Sequence, residues 1–381
     1  MCKIKNSARL IVGFMIMFLV CYSHGNSWNV LNSGQTGGRS GGSIVYEPDS
    51  SRFFLVLGTS DDSSAYSDLV YSDRLGKWIN NFPHDTLYGV WGDSIGKTKG
   101  LGRMGNAVFS NGYYFGFQNI SWGGKTFLRP NLHENRRSYM QYAYNSIDKK
   151  IYAHYKGITC TYNTKTRIWD TISALPNPSS YGSAAYSRFG FMAHDPVNNE
   201  IIFAGGAIDK RDGWSGVWKL SVATRSWSKQ NATVEPGPRA YASVATDPVR
   251  GKIVVFGGDH LDYLMNDTWV YDCASKTWER KRPSLAPSPR AGAAMVYMPK
   301  SGKIVLIGGF DYSNCTGYSC PIYRQIPSYE MWTYDIDANT WTLNKKFLSS
   351  ERIPTVRIPD VPTAAADTSD RILLFGHSRD T

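Results

Sequence analysis

Four residues whose types could carry out acid–base chemistry lie in one stretch of the chain: His133, Arg136, Tyr139 and His154. An arginine can neutralise the carboxylate of a uronic acid, while a histidine or tyrosine removes the adjacent proton and protonates the leaving oxygen. These are the ingredients for β-elimination of a uronic-acid polysaccharide. The sequence therefore raises a polysaccharide lyase as one functional hypothesis.

A second set of residues could bind a ligand without catalysis: Arg188, Arg239, Tyr241, His260 and Arg290. Guanidinium groups form forked hydrogen bonds with carboxylates or sulfates. Aromatic rings offer platforms for sugar rings, and a protein interface uses the same residue types. This set predicts either an acidic polysaccharide or an extracellular protein as the partner.

Motifs of other enzyme classes are missing from the sequence. It contains no nucleophile elbow, phosphate-binding loop, metalloprotease motif or EF-hand loop, and we predict no cofactor and no metal site. Cys315 and Cys320 are close enough in sequence to form a local disulfide in an oxidising compartment. Cys160 and Cys273 have no such neighbour.

One pattern recurs three times: an apolar strand that ends in two glycines, then a tryptophan, then a second tryptophan nine residues later. The glycine pairs end at Gly206, Gly258 and Gly309, at intervals of 52 and 51 residues. The tryptophan pairs are Trp218 and Trp227, Trp269 and Trp278, and Trp332 and Trp341. We expect the second tryptophan of each pair to begin an outer strand and to pack between repeats.

Two earlier segments keep part of the pattern, with Tyr71 seven residues before Trp78 and Tyr162 seven residues before Trp169. In the second of these, His154 stands where Phe256 stands in a complete copy, and the glycine pair is missing. Because His133 leads into the same unit, we expect both histidines to emerge on one face. This is why they are the catalytic candidates.

The pattern resembles the kelch repeat, whose period is about 50 residues, and the resemblance covers nearly the whole chain after residue 25. It implies an all-β fold of the kelch and galactose-oxidase-like superfamily, in which each unit forms a four-stranded blade of a propeller. We predict seven blades, with six as the alternative if residues 82–130 form an elaborated loop. Trp28 and the strand at 371–376 would close the ring within one blade.

The N-terminal residues have a basic start followed by the apolar run 10–20, which is typical of a signal peptide. We predict cleavage of residues 1–25, a single domain over 26–381, and a secreted monomer that is extracellular or periplasmic, with no membrane span after cleavage. A membrane anchor and lipidation at Cys21 are the rival interpretations. Cleavage lowers the formal net charge from +11 to +8, and for an exported basic protein we expect no nucleic-acid partner.

In a four-stranded blade, the connections after the second and fourth strands emerge on the same face of the ring, where functional residues are expected. The preferred hypothesis is a secreted propeller that binds an acidic glycan or a protein through this face. The alternative is the lyase, or another carbohydrate-active enzyme on the same scaffold.

Overall fold

The computed structural model describes the chain in a series of ranges, and every structural statement below concerns these residues alone. They are 17–23, 27–31, 43–56, 69–72, 77–80, 107–110, 113–122, 125–131, 141–155, 158–166, 169–174, 189–206, 216–230, 232–260, 263–311, 326–327, 330–346 and 363–377.

All regular elements in these ranges are β-strands, which confirms the predicted all-β class. The first half of the described chain contains β1 (Met17–Ser23), β2 (Ser27–Leu31), β3 (Ser43–Glu47), β4 (Arg52–Val56), β5 (Leu69–Ser72), β6 (Lys77–Asn80), β7 (Ala107–Ser110), β8 (Tyr113–Trp122), β9 (Lys125–Asn131), β10 (Gln141–Asn145), β11 (Lys150–Tyr155), β12 (Ile158–Asn163) and β13 (Trp169–Ala174).

The second half contains β14 (Gly190–Asp195), β15 (Glu200–Gly205), β16 (Val217–Ser221), β17 (Ser226–Gln230), β18 (Ser243–Asp247), β19 (Lys252–Asp259), β20 (Leu264–Asp272), β21 (Thr277–Lys281), β22 (Ala294–Met298), β23 (Lys303–Ile307), β24 (Phe310–Asp311), β25 (Ile326–Pro327), β26 (Glu330–Asp335), β27 (Thr340–Lys346), β28 (Thr363–Ala366) and β29 (Ile372–His377).

The strands form antiparallel four-stranded sheets in chain order. We number these sheets 1 (β3–β6), 2 (β10–β13), 3 (β14–β17), 4 (β18–β21) and 5 (β22, β23, β26 and β27). The closing sheet has the order β2, β1, β29, β28, and the side sheet has three strands, β7–β9. A short pair, β24 and β25, extends the connection between β23 and β26.

The repeat in the sequence corresponds to a cross-strand pair that occurs once in each of five sheets. The tryptophan of each outer strand lies opposite the residue seven positions earlier. The pairs are Tyr71 with Trp78, Tyr162 with Trp169, Leu220 with Trp227, Tyr271 with Trp278 and Tyr334 with Trp341. Four of these pairs are aromatic and one joins leucine to tryptophan. Cross-strand pairs of this kind stabilise a sheet, so the sequence spacing follows from this register.

The turn between the first two strands of a sheet also repeats. The residue at its start accepts backbone N–H groups two and three residues later, at 2.9 Å each for Asp195 and at 2.9 and 3.0 Å for Asp247. Both carboxylate residues are fully buried. Asx turns of this kind fix the hairpin geometry locally, and they set the register of the innermost strand.

The two ends of the described chain share the closing sheet. Cys21 of β1 lies opposite Leu373 of β29 and also opposite Asn29 of β2. The sheet therefore contains both Trp28 and Leu373, as expected from the sequence. Its strand β1, Met17–Ser23, lies inside the segment predicted to be a signal peptide, and cleavage of that segment stays a prediction.

Buried side chains join the sheets in a continuous circuit. A cluster spans each neighbouring pair: the closing sheet with sheet 1 (Leu373 with Leu55), 1 with 2 (Phe54 with Ile151), 2 with 3 (Tyr152 with Phe203), 3 with 4 (Phe191 with Val255), 4 with 5 (Phe256 with Trp332) and 5 with the closing sheet (Val305 with Leu374). This is the arrangement of a β-propeller, in which neighbouring blades bury each other's faces.

The side sheet, β7–β9, follows sheet 1 and precedes sheet 2 in the chain. Its last strand, β9, contacts β13, the outermost strand of sheet 2. Sheets 1 and 2 meet directly, however, because Val45 and Phe54 pack with Ile151 and Cys160. Among the described residues, no helix is long and apolar enough to span a bilayer.

Candidate functional site

A channel runs between the innermost strands of the circuit. It encloses about 470 Å³ and is lined by residues of β3, β10, β14, β18, β22 and β28. Alternate residues of two of these strands are half-buried: Tyr142 and Tyr144 in β10, and Val244 and Thr246 in β18. Since side chains alternate across a strand, the half-buried set faces the channel.

In each inner strand, the residue directly before the first residue of the hairpin turn lies beside the channel at the hairpin end. These belt positions hold Tyr46, Tyr144, His194, Thr246, Tyr297 and Ala366. The Tyr144 hydroxyl donates to Glu47 Oε1 of the neighbouring sheet at 3.5 Å, and burial, followed by the Glu47 charge, raises the pKa of Tyr144. Thr246 Oγ1 donates to the His194 carbonyl at 3.1 Å. The belt therefore links sheets 1 and 2, and sheets 3 and 4.

His194 is the one imidazole of the belt in the described ranges, and only 4% of it is exposed. Burial lowers its pKa, although a hydrogen bond with the Asn199 side chain opposes that shift. The ring is therefore neutral at pH 7. Its Nε2 is buried and has no hydrogen-bond partner among the described protein atoms.

At the other end of the ring, Arg239 joins two sheets. Its guanidinium makes a bidentate pair with Asp267 at 2.8 and 3.0 Å and donates to the Gly257 carbonyl at 3.0 Å. Asp267 also accepts from Trp269 Nε1 at 2.7 Å, and the charge-assisted bonds outweigh burial to lower its pKa. The Arg239 carbonyl accepts from Gly206 N of sheet 3 at 2.7 Å.

Arg290 repeats this arrangement one unit later. It pairs with Glu330 at 2.6 Å, donates to the Gly308 carbonyl at 3.1 Å, and its own carbonyl accepts from Gly258 N at 2.9 Å. Glu330 in turn accepts from Trp332 Nε1 at 2.9 Å. The side chains of both arginines are at most 2% exposed. Their geometry gives no support to the prediction that they hold a ligand.

These carbonyls explain the glycine pairs of the repeat. Gly257 has a φ of 62°, and a Cβ there would lie 2.4 Å from the Arg290 carbonyl oxygen. Gly205 has a φ of 77°, and its Cβ would lie 2.7 Å from the Arg239 carbonyl oxygen. A side chain is excluded at both positions by backbone conformation and by space.

His154 lies in the core between sheets 2 and 3, away from solvent. It is fully buried, its Nδ1 is 2.9 Å from Thr159 Oγ1, and its ring is 4.7 Å from that of Phe203 and 5.9 Å from that of Trp227. Burial lowers its pKa to about 3. Because the ring has no exposed surface, the structure gives His154 a packing role and no support to the prediction that it is a catalytic base.

Tyr241 and His260 take part in local packing. Tyr241 has a φ of 53° and packs against Phe189 with 4.6 Å between tilted rings. It lines the end of the channel away from the hairpins. His260 stacks on Tyr263 at 4.7 Å with an interplanar angle of 18°. Tyr263 is 55% exposed, so this pair is accessible to a partner.

The other predicted site residues lie outside the described ranges: His133, Arg136, Tyr139, Arg188, Cys315 and Cys320. Their proposed roles stay predictions. Sequence reasoning missed the channel belt, although its signal was present. In the aligned repeats, a tyrosine, histidine or threonine stands one position before the turn residue in five of the inner strands, as the belt positions above show.

Sheets packed face to face around a channel define the β-propeller class, and comparison with known proteins gives the family. A model described as the KLHDC2/KLHL20/DRC7 Kelch-repeats domain matches residues 146–376. The chain belongs to the kelch-repeat family.

Three relatives show the same likeness, each at 26% identity. Kelch domain-containing protein 1 aligns over 57% of this chain and 48% of its own length in Mus musculus, and over 59% and 50% in Homo sapiens. Tip elongation aberrant protein 1 of Schizosaccharomyces pombe aligns over 47% of this chain and 16% of its own length. The alignments therefore span half or less of these relatives.

Proposed function

We propose that this chain is a binding module that recognises a protein partner through the face formed by the connections after the second and fourth strands. The observation that carries the proposal is the contrast between framework and connections. The buried pairs of Arg239 and Arg290 repeat, whereas the connections after the second strands of sheets 3, 4 and 5 differ in length, since they span 206–216, 260–263 and 308–329. Variable loops on a rigid scaffold are the usual carriers of binding function.

The connection face also offers apolar side chains to a partner. Val234, Tyr263 and Leu285 are 52%, 55% and 54% exposed. Val234 and Leu285 hold the same repeat position, five residues before Arg239 and Arg290. Aromatic and aliphatic groups of this kind form the buried centres of protein interfaces. All three lie on connections that leave the ring on the same side.

An acidic glycan is the alternative ligand for this face. The preference for a protein rests on Arg239 and Arg290, whose guanidinium groups are already bonded within the fold. The lyase hypothesis is weakened because His154 is buried in the core. It then depends on His133, Arg136 and Tyr139. No described pair of groups favours it.

The test compares two sets of substitutions at exposed apolar residues. Val234→Asp, Tyr263→Ala and Leu285→Asp together alter the connection face, whereas Val197→Asp and Val249→Asp alter exposed positions, 55% and 79%, on the hairpin face. Cross-linking followed by mass spectrometry should show partners lost only from the first variant. Partners retained by the first variant and lost from the second would refute the proposal, and binding on an acidic-glycan array would favour the alternative.

We also infer that the ring has six blades, the alternative that the sequence left open. The direct packing of Phe54 on Ile151 and the six inner strands around the channel support this number. A seventh blade would place a strand of the side sheet between β3 and β10. An electron cryomicroscopy map that showed this strand beside the channel would overturn the inference.

Export remains our proposal for the N-terminal segment, based on the basic start and the apolar run 10–20. If the protein is exported, the connection face is exposed to extracellular partners. Fusion of residues 1–25 to a reporter enzyme tests it, since a leader sequence should direct the reporter out of the cytoplasm. A reporter retained inside the cell would contradict the proposal.

A further inference from the structure

The channel between the inner strands has the size and lining of a small-molecule site. Its volume of about 470 Å³ lies within the usual range for ligand pockets, roughly 300–1,000 Å³. None of the described residues along it is Asp, Glu, Lys or Arg. A charged ligand would lose its hydration there without gaining a counter-ion, which is costly.

The walls combine aromatic faces with few polar groups. Tyr46, Tyr142, Tyr144 and Tyr297 are half-buried and lie beside the channel, and Val244 and Ala364 add aliphatic surface. Aromatic rings of this kind stack against apolar and aromatic ligands. An uncharged, largely apolar body therefore suits the channel.

One polar atom can orient such a ligand. His194 lines the channel, is 4% exposed, and has a buried Nε2 with no hydrogen-bond partner among the described protein atoms. The neutral imidazole has one N–H donor and one acceptor nitrogen, and Nε2 takes either role according to the tautomer. A polar atom buried without a partner costs free energy, and a ligand hydroxyl, which can both donate and accept, removes that cost.

We propose that the channel binds a small uncharged molecule with an aromatic or aliphatic body and a hydroxyl group, which forms a hydrogen bond with Nε2 of His194. This site is separate from the connection face, because the belt lies at the hairpin end of the channel. It therefore stands or falls independently of the proposed protein-binding function.

The experiment uses two matched probes, p-cresol and toluene, which share size and apolar body but differ in the hydroxyl. Their dissociation constants for the whole chain are measured by ligand-observed NMR titration. We expect p-cresol to bind about fivefold more tightly than toluene, the effect of one net hydrogen bond. His194→Leu should remove this preference, and the charged analogue 4-methylbenzoate should bind at least about tenfold more weakly than p-cresol.

Two further variants test the location. Ala364→Phe and Val244→Phe each place a ring in the channel from a different sheet, and both should weaken the two probes together. Val249→Phe adds the same ring on the exposed hairpin face and should leave binding unchanged. Melting temperatures identify any plugged variant that fails to fold, and the other variant then carries the test. Equal affinity for p-cresol and toluene in the native chain, or native-like binding by a folded plugged variant, would overturn the proposal.

Discussion

Replacement of His154 by phenylalanine should change how the free energy of unfolding depends on pH. The folded imidazole has a pKa of about 3 because it is fully buried, whereas an unfolded histidine has a pKa of about 6.5. The unfolded state therefore binds more protons between these values, and stability falls as pH decreases through that window. At neutral pH the ring is uncharged in both states and this term vanishes.

The size of the effect follows from the two pKa values. At pH 4.5 the unfolded ring is protonated two pH units below its pKa, while the folded ring is still neutral. At about 1.36 kcal/mol per unit, His154 alone should cost the protein about 2.7 kcal/mol of stability between pH 7.5 and pH 4.5. His194 shifts in the same direction, so part of the pH dependence should persist in the variant.

Phenylalanine is the matched replacement because Phe256 occupies the equivalent position in a complete copy of the repeat. Phe256 packs 5.2 Å from Trp341, as His154 packs 5.9 Å from Trp227. In the complete copy, Trp341 Nε1 lies 3.0 Å from Thr268 Oγ1, whereas Trp227 Nε1 has no partner among the described atoms. Without His154, the Thr159 hydroxyl is released and can accept from Trp227.

The assay is urea-induced unfolding of the native chain and of His154→Phe at pH 7.5 and pH 4.5. The drop in free energy between the two pH values should be about 2.7 kcal/mol larger for the native chain. Carboxylates that titrate in this range affect both proteins alike and cancel in the difference. Equal drops would refute the assignment of His154 to a dry core position.

Three further predictions concern the framework and the N-terminus. Gly257→Ala should lower the free energy of unfolding by about 1–3 kcal/mol, because the position has a positive φ and a Cβ there would clash with the Arg290 carbonyl. The control Gly237→Ala has nothing within 4 Å of the added Cβ. In the same urea assay it should change the free energy of unfolding by less than about 0.5 kcal/mol. Arg239→Met should cost about 3–5 kcal/mol by leaving Asp267 unpaired, and Arg239→Met with Asp267→Leu should regain most of it; no recovery would contradict the buried-pair argument. Intact-mass measurement of the purified chain should show loss of residues 1–25 if export with cleavage occurs, and a retained N-terminus would contradict it.

The framework could be predicted from sequence because its signals are local. The seven-residue spacing from Tyr271 to Trp278 reports one hairpin register, and the pair at Gly257 and Gly258 marks a backbone that allows no side chain. Each signal depends on a few neighbouring residues and recurs in several units. Repetition then distinguishes it from chance.

The roles of the arginines could not be predicted in the same way. The partner of Arg239 lies 28 residues further along the chain and that of Arg290 lies 40 residues further. In sequence, both arginines stand among prolines and small residues and resemble exposed loop residues. Strand pairing brings Asp267 into contact with Arg239 and Glu330 into contact with Arg290. Packing between residues distant in sequence likewise encloses His154 against Phe203 and Trp227.

The segment Met17–Ser23 has two conflicting roles, as part of the predicted leader peptide and as a strand of the closing sheet. Its apolar residues suit a leader peptide, yet in the closing sheet it separates β29 from β2, with Val20 opposite Leu374 on one side and Val30 on the other. Removal of β1 would leave the N–H and C=O groups of β29 without those partners, and an unpaired edge invites other strands. Ser27–Leu31 is extended, carries alternating apolar residues and lies next in the sheet, so it is the segment able to move inward and pair with β29. After cleavage, the closing blade would then have three strands, whereas a chain that keeps residues 1–25 has four. The mass of the mature chain therefore determines how many strands the closing blade contains.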